Sequence, residues 1–261
     1  MENYNIVYCG SDFVATCLAS SIGSILQRFK ADNTINFHIL DFGVSQTKKD
    51  NILALVNQYN MRNKFYIDKS LSPLIGGGEL LKNNKSQFSV SFRKPILGRA
   101  NKEKLAFYSD NYKPKTPSDF YLHKLFLQDI FADLDYCLFL SHDITAKECI
   151  SNVFNDLDFG NSFAIVSKNN SVHKIFENGS IFLHLQQDYE IKNFCKHFDR
   201  KVYFDPDMML LNLKGMRNSE ISQQFYAYAL YNLHSPYKRE IDSADGILRL
   251  GFEDCIKVSS F

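Results

Sequence analysis

The sequence lacks the paired cysteines that disulfide frameworks and zinc sites require. It holds six cysteines among 261 residues, and no two of them stand at C-x-x-C spacing. Cys9, Cys17 and Cys137 lie inside apolar runs, where a free thiol behaves as a small hydrophobic side chain. We therefore predict neither a disulfide framework nor a zinc site. Tryptophan is also absent, whereas the chain has 14 Tyr and 23 Phe, and we expect these aromatics to fill a core.

The chain also lacks an excess of charge and any long apolar run. Lys and Arg number 30 and Asp and Glu number 29, so the net charge is +1. This balance gives no electrostatic basis for binding nucleic acid. No apolar run reaches the roughly 20 residues that a membrane-spanning helix needs, and the first residues fit a strand better than a signal peptide. We predict a cytoplasmic location without a transmembrane segment, and leave open a peripheral contact at the inner face of the membrane.

What the chain does contain is an alternation of apolar strands and amphipathic helices. Residues 5–9 form an apolar run that predicts a first buried strand, and Gly10-Ser11-Asp12 interrupt it. Ser11 is suited to cap a helix that extends to about Phe29. A strand, a tight turn and a capped helix present free N–H groups that suit a phosphate.

The same alternation continues through the next fifty residues. Residues 35–41 predict a second strand, followed by a helix over about residues 46–58, and residues 65–68 predict a third strand. Strands that alternate with helices in this way favour an α/β fold with a largely parallel sheet.

The pattern lapses between residues 69 and 115. This stretch contains Gly76-Gly77-Gly78, an alternating segment over residues 88–92 and several basic residues. One interpretation is a surface hairpin with a solvated basic face. The other is a segment that binds an acceptor or acts as a lid, because long loops in compact domains are often functional.

The middle of the chain holds the clearest candidate site. Residues 116–119 predict the start of a helix that would extend to about Phe131, with Lys124 on one face. Residues 136–140 are aromatic or apolar without a break, which predicts a strand covered on both faces. The polar tripeptide 141–143 follows directly. Ligands of open α/β sheets bind beyond the carboxyl ends of strands, so we predict a metal or phosphate site here.

Three segments resemble the family 8 glycosyltransferases, the retaining nucleotide-sugar enzymes of the GT-A fold. Residues 40–45, Leu-Asp-Phe-Gly-Val-Ser, are similar to the family's Leu-Asp-x-Gly-Ile-Ser. Residues 120–144 are similar to its helix, turn and strand before an acidic tripeptide, and residues 208–214 to its apolar Val-Leu-Leu-Ile-Asn-Leu segment. The resemblance implies one GT-A domain over residues 1–261, α/β with a mixed, mostly parallel central sheet. It also implies an inserted loop or hairpin at about residues 69–115.

The resemblance further implies a hexosyltransferase. The donor would be a nucleotide-sugar, a UDP-sugar in the family, and the hexose would pass with retention to a glycan or glycolipid acceptor. Donor-binding positions of the family fall in the first turn, on the helix before the central strand and in the tripeptide. In this sequence they are Cys9, Gly10, Ser11, Asp12, Lys124, Ser141 and His142. Lys124 stands where the family has an arginine that contacts the donor.

Four aspartates occupy the catalytic positions by the same resemblance: Asp143, Asp205, Asp207 and Asp245. Asp143 matches the second Asp of the family's metal-binding Asp-x-Asp, and Ser141 replaces the first. The resemblance thus implies Mn²⁺ or Mg²⁺ at Asp143, with His142 as a further candidate ligand. The family's C-terminal His-x-x-Gly-x-x-Lys-Pro-Trp motif has no counterpart here, so we expect metal dependence to be weak.

Two alternatives stay open beside the enzyme. Several donor positions of the family are replaced, which is compatible with a degenerate relative that binds or scaffolds without catalysis: Ser11, Phe13, Val14, Ser141 and Ala244. The missing C-terminal motif is compatible with a fragment that needs a further segment or a partner chain.

Overall fold

A computed structural model describes two units of the chain. The described residues are 3–29, 33–68, 87–94, 121–154, 157, 159, 163–168, 204–219 and 256–259. One unit lies within residues 1–94 and 140–157, the other within residues 95–139 and 158–261. In chain order the elements are β1 (Asn3–Gly10), α1 (Ala15–Arg28), β2 (Thr34–Asp41), α2 (Gln46–Asp68), β3 (Gln87–Arg93), a 3-10 helix (Tyr121–Phe126), α3 (Leu127–Ile130), β4 (Cys137–Leu140), α4 (Ser151–Phe154), β5 (Ala164–Lys168), β6 (Phe204–Leu211), α5 (Leu213–Arg217) and β7 (Ile256–Ser259).

The first unit contains three parallel strands in the order β3-β2-β1. β1 pairs with β2 from Asn3↔Thr34 onward, and β2 pairs with β3 from Thr34↔Gln87 onward. Because the three strands share one direction, their carboxyl ends lie at the same edge. The loops that follow β1 and β2 therefore begin side by side, and Gly10 pairs with Asp41 in the last row.

Helices pack on one face of these strands. Apolar side chains of α1 recur at helical spacing and are buried: Ala15, Leu18, Ile22, Ile25 and Leu26. The Tyr8 hydroxyl reaches from β1 to Ser21 Oγ of α1 at 2.9 Å. Phe29, just after α1, packs edge-on against Tyr4 of β1 and Phe88 of β3, with ring centroids 6.0 and 5.9 Å away. The helix α1 and the Phe29 side chain after it thus contact β1 and β3 through side chains of one alternating set.

The opposite set of side chains forms a polar network across the three strands. His38 Nε2 lies 3.2 Å from Asn5 Oδ1 and His38 Nδ1 lies 3.0 Å from Ser91 Oγ. Asn36 donates to Asn5 Oδ1 (3.3 Å) and accepts from Ser89 Oγ (2.7 Å). An amide oxygen can only accept, so the tautomer with a proton on Nε2 is favoured. A slip of one residue would break every one of these contacts, so the network fixes the register.

The second unit contains the strands β4-β6-β5-β7 in that order. β5 pairs antiparallel with β6 and parallel with β7. The pairings in the chain are therefore mixed and mostly parallel, as the sequence predicted. All four residues of β4 are at most 1% exposed, which confirms the prediction of a strand covered on both faces.

Arg217 fastens α5 to the turn before β4. Its guanidinium donates to the carbonyl oxygens of Gln128 (3.3 Å), Phe131 (3.2 Å) and Leu134 (2.8 Å). Carbonyl groups at the end of a helix have no partner within the helix. Arg217 donates to one carbonyl group within α3 and to two in the segment after it, which holds the chain where it enters β4.

Several local predictions were wrong. Ser11 does not cap α1: the helix begins after Val14, with no side-chain cap. Residues 65–68 belong to α2 and form no strand, because neither Gly nor Pro interrupts the helix after residue 58. The helix predicted from residue 116 is described only from residue 121, as a 3-10 helix followed by the short α3. The third parallel strand is β3, which lies inside the stretch predicted as an insertion.

No described helix is long and apolar enough to cross a membrane. The helix predicted over about residues 220–233 lies outside the described residues, as does most of the stretch 69–115. The prediction of one domain with an insertion stays a prediction.

Candidate functional site

The candidate site begins where β1 ends, at a glycine that is required by packing. A Cβ atom added at Gly10 would lie 2.7 Å from Ile39 Cγ2 on β2. Real Cβ atoms do not come that close, so no larger residue fits here without a shift of β2. Cys9, one residue earlier, is buried at 3% exposure. The packing of Cys9 and Gly10 thus explains both residues without a ligand, and their donor-binding role stays a prediction.

Ser11 is the residue at this edge whose chemistry is incomplete. It is 7% exposed, and its Oγ is buried without a hydrogen-bond partner among the described residues. A buried hydroxyl that makes no hydrogen bond costs about 1–3 kcal/mol. Proteins rarely keep such groups, and one at the end of a parallel strand suits a ligand that would supply the missing partner.

Asp12 joins the loop after β1 to the start of α2. Its Oδ1 accepts from Ser45 N–H at 2.9 Å, and Lys48 Nζ lies 3.2 Å from its Oδ2 and donates to its main-chain oxygen. Hydrogen bonds from Ser45, together with Lys48, lower the pKa of Asp12 from 3.8 to about 2. The carboxylate sits at the N-terminus of α2, where negative charge is favoured. These contacts occupy much of its capacity as a ligand.

Asp41 performs a matching task at the end of β2. Its Oδ1 accepts from the N–H groups of Gly43 (3.0 Å) and Val44 (2.8 Å), and Lys49 pairs with its other oxygen. Burial works to raise the pKa of Asp41, but Lys49 and the two N–H groups outweigh it and lower that pKa. Gly43 has a φ of 98°, a conformation that glycine adopts without strain. The Asp and Gly of the Leu-Asp-x-Gly segment are therefore both explained by what this turn requires.

The predicted tripeptide forms a turn at the end of β4. Ile144 N–H donates to Ser141 O at 3.2 Å, so His142 and Asp143 occupy the two central positions of a β-turn. Ser141 is 2% exposed, whereas His142 is half-buried and Asp143 is exposed. The turn and the loop after β1 both belong to the first unit. Asp143 is therefore available to a ligand, while Ser141 is enclosed.

Lys124 is buried within the second unit. It is 2% exposed, and its Nζ lies 5.1 Å from the centre of the Phe139 ring in β4. An ammonium group over an aromatic face is stabilised by the ring's negative face. Lys124 is therefore not a solvated surface lysine. The donor-binding role predicted for Lys124 stays a prediction.

The acidic residues predicted near the acceptor lie on β6, also in the second unit. The register of β5 with β6 shifts between Val166↔Met209 and Ser167↔Asp205. Pro206 has no N–H to donate, so an irregularity at this point fits the sequence. Asp207 is half-buried. Asp245 lies outside the described residues, and the catalytic roles of all three stay predictions.

The described part of the chain offers few ligands for a metal ion. Within it no group of three His, Cys, Asp or Glu side chains could hold a metal ion. His142 and Asp143 together offer one imidazole and one carboxylate, whereas Mg²⁺ and Mn²⁺ prefer several oxygen ligands. The described residues therefore do not fit such an ion by themselves.

Phe13 is a candidate that the sequence reasoning passed over. It is 84% exposed, next to Asp12 and Ser11 at the carboxyl edge of β1. The following Val14 is 4% exposed and packs in the core. The signal in the sequence is a large aromatic residue that directly follows a polar turn and lies off the apolar face of the next helix. An exposed aromatic of this kind is a candidate for contact with a ligand.

Similarity to known proteins is confined to the fold. No protein-family model and no curated protein matches the chain. The WbbM bifunctional glycosyltransferase is similar over 98% of this chain and 38% of its own, with 14% identity and a TM-score of 0.67. Galactosyltransferase LgtC in complex with donor and acceptor sugar analogs is similar over 98% of this chain and 73% of its own, with 19% identity and a TM-score of 0.59. Mouse xyloside xylosyltransferase 1 is similar over 99% of this chain and 85% of its own, with 13% identity and a TM-score of 0.58.

The chain has the GT-A glycosyltransferase fold. Together with the mixed, mostly parallel strands, these structures confirm the fold class that the sequence predicted. The chain spans little more than a third of WbbM, 38% of its length. At these identities the likeness carries no conclusion on family 8, donor, acceptor or retention, which are proposals below.

Proposed function

We propose that this chain is a retaining hexosyltransferase that binds a nucleotide-sugar at the carboxyl edge of β1. The observation that carries the proposal is Ser11, a buried hydroxyl without a described partner at the strand end where the fold places its ligands. A base or ribose supplies hydrogen-bonding groups of the kind that Ser11 lacks. The resemblance to family 8 supports a UDP-sugar as the donor.

Phe13 and the turn after β4 extend this proposed site. The exposed ring of Phe13 offers a face on which a base can stack, and such stacking contributes about 1–3 kcal/mol per base. Asp143, exposed in its turn, can accept hydrogen bonds from sugar hydroxyls. In the proposed assignment Lys124 contributes positive charge for the diphosphate, as the family's arginine does.

The reaction would transfer the hexose to a glycan or glycolipid hydroxyl with retention of configuration. Front-face transfer depends mainly on stabilising the departing diphosphate. Asp205, Asp207 and Asp245 are proposed to bind hydroxyls of the acceptor and of the donor sugar. The resemblance would place Mn²⁺ or Mg²⁺ at Asp143 and His142, but one carboxylate and one imidazole do not fit such an ion by themselves, so the proposed reaction includes no metal.

Ser11→Ala gives the sharpest test, because it has opposite effects with and without ligand. Removing a hydroxyl that has no partner should leave the free protein as stable as before or slightly more stable. With a bound nucleotide-sugar, the loss of one hydrogen bond should weaken affinity by about threefold to tenfold. Calorimetry with uridine, cytidine and guanosine diphosphates and their sugars measures both the donor class and the loss.

Ser21→Ala is the matched control. Its hydroxyl is also buried but bonds to Tyr8 at 2.9 Å, so its removal should lower stability without changing nucleotide affinity. Failure of every nucleotide and nucleotide-sugar to bind would overturn the proposal. Binding at equal affinity by wild type and Ser11→Ala would move the site away from Ser11.

A binding protein without transfer activity is the second candidate. It is favoured by Asp12, whose carboxylate is engaged by Ser45 and Lys48 and is thus poorly placed to read a base. Hydrolysis and transfer assays with the bound nucleotide-sugar separate the two functions. Affinity without turnover in the presence of Mn²⁺ would select the binding protein.

A further inference from the structure

Two polar residues of α1 hold the chain that leaves the candidate site. Ser24 Oγ accepts from Ala146 N–H at 2.8 Å and donates to Ser21 O at 2.7 Å. One turn later, Arg28 Nε donates to Lys147 O at 3.0 Å, and its Nη1 lies 3.3 Å from Ser24 O. Both residues bond main-chain atoms, more than one hundred positions further along the chain. The contacts therefore fix a path of the backbone and do not depend on the side chains of residues 146 and 147.

These contacts stand close to the turn that carries His142 and Asp143. Ala146 follows Asp143 by three residues, which at full extension is a span of about 10 Å. On the other side of the turn, Ser141 is enclosed at 2% exposure and Ser141 O accepts from Ile144 N–H. The turn is thus held at both ends. Its entry is fixed by burial of Ser141 and its exit by Ser24 and Arg28.

We infer that Ser24 and Arg28 are positioning residues for the ligand-binding turn, acting through Ala146 and Lys147. The inference rests on the proposed function for its ligand, a nucleotide-sugar that contacts Asp143. Neither residue touches that ligand: Ser24 lies in the middle of α1, and Arg28 is its last residue. Their role is to restrict where the exposed Asp143 can be found.

The physical basis is the entropy of the exit segment. Residues 144–149 are in no helix or strand, and each residue released from a single conformation gains conformational entropy. A turn tethered only at Ser141 would sample many positions, and the ligand would have to restrict it on binding. Two bonds to a helix remove much of that cost before the ligand arrives.

The test uses the full chain with Ser24→Ala, Arg28→Met and the control Ser21→Ala. Ser24→Ala removes the acceptor of Ala146 N–H, and Arg28→Met keeps the aliphatic stem while removing the donors. Amide exchange over residues 142–147 should rise by about fivefold, as expected for the loss of one hydrogen bond. The dissociation constant for the nucleotide-sugar should rise by about tenfold or more, since small displacements of binding groups cost much affinity.

Two further variants distinguish a general loss of stability from a loss of positioning. Ser24→Thr retains the hydroxyl and should restore both exchange and affinity. Ser21→Ala removes the Tyr8 contact in the same helix and should lower the melting temperature without changing exchange at residues 142–147. Unchanged exchange in Ser24→Ala and Arg28→Met would overturn the inference. So would faster exchange with an unchanged dissociation constant.

The exchange measurement needs no ligand, so the two failures are distinguishable. If the wild-type chain binds no nucleotide-sugar, the proposed function fails and the positioning role falls with it. In that case the exchange data still decide whether Ser24 and Arg28 tether the turn. If the wild type binds but the variants bind equally well, only the positioning inference fails.

Discussion

Two aspartates in the first unit follow buried strands and differ in what they contact. Asp12, after β1, accepts from Ser45 N–H and pairs with Lys48, so it ties one loop to the start of α2. Asp143, after β4, lies exposed in a turn whose main chain closes on itself from Ile144 to Ser141. Position at a strand end is common to both. Only the contacts separate the aspartate that completes the fold from the one that is available to a ligand.

Ser11 and Ser141, the serines beside these aspartates, also differ in their contacts. Ser11 is buried with an Oγ that has no described partner, whereas Ser141 is buried at the start of a tethered turn. At the β1 end the serine is thus the incomplete group and the aspartate is engaged. At the β4 end the aspartate is exposed and the serine is enclosed. A ligand shared by both ends would meet a hydroxyl at one and a carboxylate at the other.

The largest effect is expected from a carboxylate at the enclosed position. Ser141→Asp places a second carboxylate two positions before Asp143, but at 2% exposure the new charge would be taken from water. Burying a charge without a partner should cost about 3 kcal/mol or more of the free energy of unfolding. Urea unfolding near neutral pH measures it.

Ser141→Asn is the control, because it is close in size and carries no charge. It should cost clearly less than Ser141→Asp. A Ser141→Asp protein as stable as the wild type would mean that this side chain reaches water or a cation. In that event Mn²⁺ should raise its melting temperature, because an ion that binds only the native state stabilises it.

The next effect comes from Gly10 at the β1 end. Gly10→Ala places a Cβ 2.7 Å from Ile39 Cγ2, and overpacking of this kind costs about 1–3 kcal/mol. Gly23→Ala is the matched control in α1, where the nearest atom, Leu55 Cδ2, would be 3.8 Å away. That substitution should stabilise by about 0.5–1 kcal/mol, because alanine favours a helix. Equal melting temperatures for the two variants would contradict the packing role of Gly10.

Hydrophobic pattern predicted most of what is buried. The apolar runs at β1, β2 and β4 are strands, and the alternation at residues 88–92 is the parallel strand β3. The pattern failed where short apolar runs are ambiguous: residues 65–67 are as apolar as a strand, but they continue α2. The local signal for the helix was the absence of Gly and Pro after residue 58.

The site was harder to predict than the fold, because its chemistry depends on contacts between distant residues. Asp12 was predicted to bind the donor by its position, but its contact with Lys48, 36 residues away in sequence, could not be read from that position. The burial of Lys124 over Phe139 likewise follows from packing that residue type does not reveal. The turn at Asp41 and Gly43 is easier to interpret from the sequence, because its hydrogen bonds join neighbouring residues.

A smaller effect is expected from the charge of Asp12. Its pKa is lowered from 3.8 to about 2 by Ser45 and Lys48, so the unfolded chain takes up the proton first as the pH falls. The stability that the charge contributes is complete above pH 3.8 and is lost as the pH falls towards 2. Asp12→Asn keeps an acceptor for Ser45 N–H and removes the charge.

The difference in melting temperature between wild type and Asp12→Asn should therefore be small and positive near neutral pH and should shrink in acid. It should also shrink in high salt, because the carboxylate side chain is 51% exposed and screened. A difference that persists unchanged at pH 2 would mean that the side-chain shape, and not its charge, provides the contact.

The smallest effect on stability is expected at Asp143, and that is what makes it informative. An exposed turn residue without a structural task should change the free energy of unfolding by less than about 0.5 kcal/mol when it is replaced by asparagine. If Asp143 contacts the donor, the same Asp143→Asn substitution should raise the dissociation constant for the nucleotide-sugar by about tenfold, the usual contribution of a hydrogen bond to a charged group.

Asp12→Asn should show the opposite pair of results, with a loss of stability and little change in affinity. Calorimetry and melting curves on the two variants thus test the comparison directly. Asp143→Asn with lower stability and unchanged affinity would make Asp143 another residue that serves the fold, and would remove it from the candidates for the ligand.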